Sequence, residues 1–378
     1  MNAPAQAAAS MTTVKFARST SREFVKELKQ RVEEYFKEES LSKKANGQMV
    51  LKTLIMLTLV FGSYAAIMSN QVPLWGMLGL AIVMGVGAAG CGFGIAHDAL
   101  HGAYTSSKAV NGFLGLSFEL NGASSYLWKI IHNVIHHTYT NIEGIDEDLA
   151  VSPLLRLSPL AEHKPIHRFQ HFYVMFAYSL TTLFWVFVKD FKYIFQRDLG
   201  PYKDIRHPKT EIAKLILMKG VYYTYLIVLP LMFLDVTWWQ FAIGFLALHF
   251  TAGIILSLVF QLAHVNEGPE HFKCDEQDTM EDAWLVHQMK TTTDFARSNK
   301  LLCWYVAGLN FQVEHHLFPK VCSVHYPAIA PIVQEVAEKH GVPYHTHETF
   351  MGAIAAHWRT LKEYGKPPAG DSTVLAQV

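Results

Sequence analysis

The chain has 378 residues, no formal net charge, 51% hydrophobic residues and only 17% charged ones. That composition is too apolar for an ordinary soluble protein, and the neutral balance excludes nucleic acid or another polyanion as a partner. Four scattered cysteines (Cys91, Cys274, Cys303, Cys322) form no CxxC pair. This excludes a zinc ribbon or a disulfide framework and indicates reduced thiols.

Residues 1–14 are Ala-rich and polar and are expected to be disordered. The first strongly apolar run begins only near Leu51, so the amino terminus is not expected to be a secretory signal. Residues 21–41 have helical periodicity, with Phe24, Leu28, Val32 and Tyr35 on one stripe and Thr20 and Glu23 at capping-box spacing. Such a helix either lies on a cytoplasmic membrane surface or packs on the body of the protein. Residues 1–50 thus read as a cytoplasmic arm, 51–366 as the main domain and 367–378 as a disordered tail.

A membrane span needs about 20 apolar residues. Segments 51–68, 74–96, 215–234 and 238–263 come near that, and two short turns, 69–73 and 235–237, join them in pairs. Neither turn contains Lys or Arg, whereas residues 1–50 contain nine. The positive-inside rule then puts the turns outside and both termini in the cytoplasm. A fifth apolar segment, 169–188, is expected to be interfacial. Were it a true span, the histidine clusters around it would lie on opposite faces of the membrane. The fold expected is an all-α integral membrane protein, four transmembrane helices in two hairpins under a cytoplasmic helical cap.

Twenty histidines are the outlier of the composition, and seven fall into three clusters: His97 and His101; His132, His136 and His137; and His315 and His316, preceded by Gln312 and Glu314. Histidines at i and i+4 on a helix lie about 40° apart around its axis and can chelate one metal. A structural zinc is satisfied by four ligands, so seven imidazoles indicate two metal ions. His264 ends the fourth span at the same membrane level and joins the candidates. His249, fifteen residues earlier, is too deep and is expected to pack in the bundle or line a cavity. Asp98, Asp146, Asp148 and Glu314 lie beside the clusters and are candidates to accept the second ring N–H of a ligating histidine. For Asp146 and Asp148, surface charge is an equal alternative.

The motifs HDALH at 97–101, HNVIHH at 132–137 followed by TYTN, and QVEHHLFP at 312–319 resemble the three histidine boxes of membrane fatty acid desaturases. The resemblance runs from about residue 50 to residue 345. Gln312 at the head of the third box is similar to the front-end subgroup, which places a double bond between an existing one and the carboxyl end. What the resemblance implies is a di-iron centre that uses dioxygen as co-substrate to desaturate a long-chain fatty acyl-CoA or acyl lipid. The implied iron ligands are His97, His101, His132, His136, His137, His264, His315 and His316, while Gln312 either ligates or orients a neighbour.

Many relatives carry a fused cytochrome b5 domain with a His-Pro-Gly-Gly motif, which this sequence lacks. The implied electron donor is therefore external, a ferredoxin or a free cytochrome b5 with its reductase. Lys189, Lys192, Arg197, Lys203 and Arg206 could form its docking patch or instead face membrane or solvent. Other readings of the same residues are a di-iron lipid hydroxylase, a zinc-dependent membrane hydrolase, and a metal transporter. The surplus of histidines counts against the hydrolase, and their place at the span ends counts against the transporter.

Overall fold

The computed structural model describes residues 10–11, 14–17, 21–149, 153–274 and 279–368. Four helices are long and apolar enough to cross a membrane: Gly47–Met68, Leu74–Leu100, Lys209–Phe233 and Trp238–His264. They match the expected segments but extend further. The first begins at Gly47 because the Asn46 side chain accepts the Gln48 and Met49 amides and caps it. The second continues to Leu100, so His97 stands in its last turn. The third starts just after Pro208, earlier than the expected 215, and carries Lys219 within it. Lys219 is 3% exposed, and its Nζ lies 2.9 Å from Asp190 Oδ2 and donates to the Gly122 carbonyl at 2.6 Å. A paired, hydrogen-bonded ammonium is tolerated where a bare one is not.

The two turns lie side by side. Asn70 Nδ2 donates to the Phe233 carbonyl at 2.8 Å, and the Asp235 amide donates to Asn70 Oδ1 at 3.1 Å. The second and fourth helices pack along one another through the bundle. Gly85 permits this, since a Cβ there would meet the Leu248 carbonyl oxygen at 2.5 Å. Ala89, Phe93, Val259 and Leu262 of this pair join a core with Leu285, Phe295, Val313, Ile329 and Val333. That core fuses the bundle to the helices that follow it.

The fifth apolar segment is broken. Pro165–Ser179 and Thr181–Phe195 meet at Leu180 with a bend of 59°. Each half is 15 residues, about 22 Å of helix, which falls short of the roughly 30 Å hydrocarbon core. Phe172 and Phe176 point outward, 72% and 62% exposed.

The amino-terminal helix runs from Arg22 to Glu38 and packs on the helix Tyr326–His340. Its apolar stripe (Phe24, Leu28, Val32, Phe36) is buried, with Tyr35 only half-buried. The alternative in which this stripe lies on the membrane is thereby corrected: the stripe is consumed by the protein. Each such side chain contributes about 1.5–3 kcal/mol on burial. The exposed Arg31–Glu335 and Lys339–Glu27 pairs beside them are screened by solvent, so apolar packing holds the helix. No side chain caps it at Ser21, which takes φ 58; Thr20 lies outside the described residues. Within the segment expected to be disordered, Ser10–Met11 pairs antiparallel with Tyr202–Lys203. Two short parallel ladders, Lys15–Phe16 with Thr279–Met280 and Thr293–Phe295 with His345–His347, complete an otherwise helical fold. Most of the expected tail, 369–378, also lies outside the described residues.

Candidate metal centre

The helix ending at Leu100 delivers His97, and His101 follows it at the C-cap. The segment Lys129–His136 and the turn after it deliver His132, His136 and His137. The helix Gln312–Leu317 supplies His315 and His316, and the fourth apolar helix ends on His264. These four elements converge. Ligand nitrogens of His97, His101, His132 and His315 lie within 4.8 Å of one another, as do those of His136, His264 and His316. His137 joins His315 and His316 in a third such group. Its ring centroid is 4.4 Å from that of His316 and 4.8 Å from that of His101, so it stands between the two sets.

The hydrogen bonds around this cluster are asymmetric. On the outer side, His136 Nδ1–H donates to Asp146 at 2.9 Å, His132 Nδ1–H to Asp148 at 3.0 Å and His97 Nδ1–H to Asp98 at 3.2 Å. His264 donates to the Thr291 carbonyl at 3.2 Å, His316 to Gln288 Oε1 at 2.8 Å, and His315 Nδ1 meets the Tyr326 hydroxyl at 3.2 Å. On the inner side, Nε2 of His101, His132, His136, His137, His264 and His316 is buried with no partner among the described residues. His97 Nε2 and His315 Nε2 face each other at 3.2 Å. A buried polar atom without a partner costs about 1–3 kcal/mol. Six pointed inward in one place fit a group that takes up imidazole lone pairs, and a donor set made of imidazoles suits iron, zinc, copper or nickel.

Electrostatics keep those lone pairs free. Burial, reinforced by neighbouring imidazoles, holds His101, His137, His315 and His316 well below the ordinary histidine range. His132 is pushed down to about 3 by burial, even against Asp148. At His136 burial opposes the charge too, but the Asp146 carboxylate outweighs it and the net direction is upward.

Asp98, Asp146 and Asp148 each back a histidine, so the surface-charge alternative for Asp146 and Asp148 does not hold: they are 3% and 9% exposed. Glu314 is different. Its carboxylate accepts from the Tyr344 hydroxyl at 3.0 Å and belongs to a buried group with Asp294, so it serves no histidine. Gln312 donates its amide N–H to the Leu309 carbonyl at 2.8 Å and lines the cavity beside His97 and His315. His249 is tied up within the bundle by the Tyr222 hydroxyl at 2.8 Å and Thr182 Oγ1 at 3.0 Å. Of the basic residues in 189–206, one is buried and three form exposed ion pairs at the surface. Lys189 is buried against Asp148, Arg197 and Arg206 engage Asp204, and Lys203 engages Asp198.

Three residues that sequence reasoning passed over, Gln288, Thr291 and Tyr326, hold cluster histidines. None sits at a chelating spacing, and the polar pair His287-Gln288 within an apolar stretch was the one local signal.

Beside the histidines lies a cavity of about 840 Å³, within the range of small-molecule sites. Met84, Ala88 and Gly92 of the second helix, Leu226 of the third, Leu248 and Leu256 of the fourth, and Leu180 and Val186 of the bent element line it. His97, His132 and His315 form part of its wall. A long apolar chamber that meets an imidazole cluster suits chemistry on a hydrocarbon chain.

The family described as fatty acid desaturase matches residues 73–348. The chain is 38% identical to the sn-1 linoleoyl-lipid 6-desaturase of Arthrospira platensis, over 94% of this chain and 96% of that protein. It is 36% identical to the enzyme of the same description in Synechocystis sp. (strain ATCC 27184 / PCC 6803 / Kazusa), over 94% and 99%. With the acyl-lipid (8-3)-desaturase of Physcomitrium patens it shares 35% identity over 93% and 74%. The chain belongs to the fatty acid desaturase family, and it is a multi-pass membrane oxidoreductase that desaturates fatty acyl chains.

Proposed function

We propose that this desaturase is a di-iron, front-end enzyme acting on a polyunsaturated or linoleoyl chain esterified in a membrane lipid. The observation that carries the metal assignment is the set of six buried Nε2 atoms without partners among the described residues. One iron would be held by His97, His101, His132 and His315, the other by His136, His264 and His316, with His137 between them. When bound, iron with dioxygen, two electrons and two protons would supply the oxidant that takes two hydrogens from adjacent methylenes, leaving a double bond and two waters.

The chain's own residues then do the rest. The apolar cavity binds the acyl tail extended and excludes water, and positioning of this kind lowers the barrier by fixing the reacting carbons. Asp98, Asp146 and Asp148 hold three imidazoles in one tautomer and orientation. Gln312, in the cavity wall, faces the substrate beside His315 and orients it without ligating. The relatives named 6-desaturases, at 36–38% identity, support insertion on the carboxyl side of an existing double bond. They also support an acyl lipid over acyl-CoA.

In topology, the two turns would face the outside as the tips of two hairpins, with the helical cap, both termini and the histidines on the cytoplasmic side. The absence of Lys and Arg from the turns and the exposure of Trp75 (82%) and Trp238 (75%) near them support this orientation. Electrons would come from a separate ferredoxin or cytochrome b5. The functional domain would span 51–366, with 1–50 as its docked arm.

Expression in a host without polyunsaturated fatty acids, fed linoleic acid, tests the reading. The expected product carries its new double bond on the carboxyl side and appears first in membrane lipid. A hydroxylated product, or a bond on the methyl side, would contradict it.

A further inference from the structure

The helix Trp284–Thr291 lies outside all three histidine boxes, yet it touches the cluster histidines three times and the segment just after His137 once. Trp284 Nε1–H donates to the His137 carbonyl at 3.2 Å, and His287 Nε2–H to the Thr140 carbonyl at 2.8 Å. Gln288 Oε1 accepts from His316 Nδ1 at 2.8 Å, and the Thr291 carbonyl accepts from His264 Nδ1 at 3.2 Å. His316 and His264 belong to one of the two nitrogen sets, together with His136.

Among the described residues, Gln288 is the only side-chain amide among the partners of the cluster nitrogens; the other side-chain partners are the carboxylates of Asp98, Asp146 and Asp148, the hydroxyl of Tyr326 and, at a longer 3.3 Å from His316 Nδ1, the hydroxyl of Thr140. It is fully buried, and its Nε2 finds no partner among the described residues. An orphaned buried amide donor is unfavourable, and an apolar side chain of the same size would avoid that cost. The oxygen must therefore serve a purpose that outweighs this. Its geometry shows one: Oε1 also lies 2.9 Å from the Thr140 hydroxyl, just past His136 and His137. It thus bridges the second and third boxes where His137 and His316 stack at 4.4 Å. Being neutral, it orients His316 without adding a charge at a depth where Asp146 already places one.

We infer that Gln288 is a positioning residue for the metal site of His136, His264 and His316, fixing His316 with its Nε2 inward, and that its neutrality sets the redox balance of that site. The inference rests on the two-metal reading proposed above. An amide here gives way to two informative variants. Gln288→Ala removes the acceptor, and Gln288→Glu keeps it while adding a negative charge.

The test is Fe(II) titration of the metal-stripped, detergent-purified full chain, with midpoint potentials of the reloaded protein. Wild type should fill two sites. Gln288→Ala should fill one at wild-type affinity and the other about 10–100-fold more weakly, the usual cost of losing such a partner. Gln288→Glu should keep both affinities, with a lower midpoint potential because the added anion favours the oxidised metal. Two sites of unchanged affinity in Gln288→Ala would overturn the inference, as would loss of the site in Gln288→Glu. Failure of the wild type to hold two irons would instead overturn the reading of the centre itself.

Discussion

Asp146 and His136 form a closed pair at the heart of the cluster: the carboxylate takes the Nδ1 proton at 2.9 Å, and both side chains are fully shielded from solvent. Asp146 is in turn fixed by the backbone amides of Asn141 and Asp148. The imidazole is therefore locked with Nε2 toward its neighbours His264 and His316, 4.7 and 5.0 Å away between ring centroids. Asp146→Ala should lower metal affinity about 10–100-fold and desaturation in parallel. Asp235→Ala, in an exposed turn, should change neither. Metal analysis of both purified variants checks this.

The bent element is held against the fourth helix by a missing side chain. A Cβ on Gly253 would stand 2.6 Å from the Ser179 carbonyl oxygen and 2.7 Å from that of Tyr178. Both contacts are with backbone, so neither can swing aside. Gly253→Ala should lower stability by about 1–3 kcal/mol through overpacking, seen as a lower melting temperature in detergent. Gly244→Ala, where nothing lies within 4 Å, should not lower it.

Lys219 and Asp190 join the third helix to the second half of the bent element, both nearly inaccessible at 3% and 1%. Removing one partner of such a pair costs about 3–5 kcal/mol because the other charge stays buried alone. Lys219→Met should accordingly destabilise the protein strongly, and Lys219→Met combined with Asp190→Asn should recover part of the loss. A double variant less stable than Lys219→Met alone would count against the pairing.

Met84, Leu226 and Leu248 line both the large cavity and a second one of about 210 Å³ nearer the turns. They form the partition between them. Leu248→Ala should open the large cavity into the smaller one and shift preference toward longer acyl chains. Product yields across a homologous series of fed polyunsaturated acids measure the shift; an unchanged preference would place the end of the chain elsewhere.

The spans and the convergence of the histidines were legible in the sequence because each follows a local rule: apolar length for one, clustering at the span ends for the other. What escaped was set by tertiary contact. Lys219 falls inside the expected third span, but its partner Asp190 comes from an element remote in sequence. Phe36 replaced Tyr35 in the buried stripe because the helix Tyr326–His340 selects the face. Glu314 sits next to His315 in sequence but turns to Tyr344, while Gln288, remote in sequence, supports His316. That Lys189 is buried against Asp148 while Arg197, Lys203 and Arg206 stay at the surface is likewise set by tertiary contact.

The central claim is that eight converging histidines hold two irons. The most direct measurement is the metal content of the purified, active protein beside that of His136→Ala, a variant expected to insert normally into membranes. The account predicts about two irons per chain in the wild type, and in the variant a weakened site with no desaturation. One stoichiometric zinc in active protein, or full iron and normal product in His136→Ala, would contradict it.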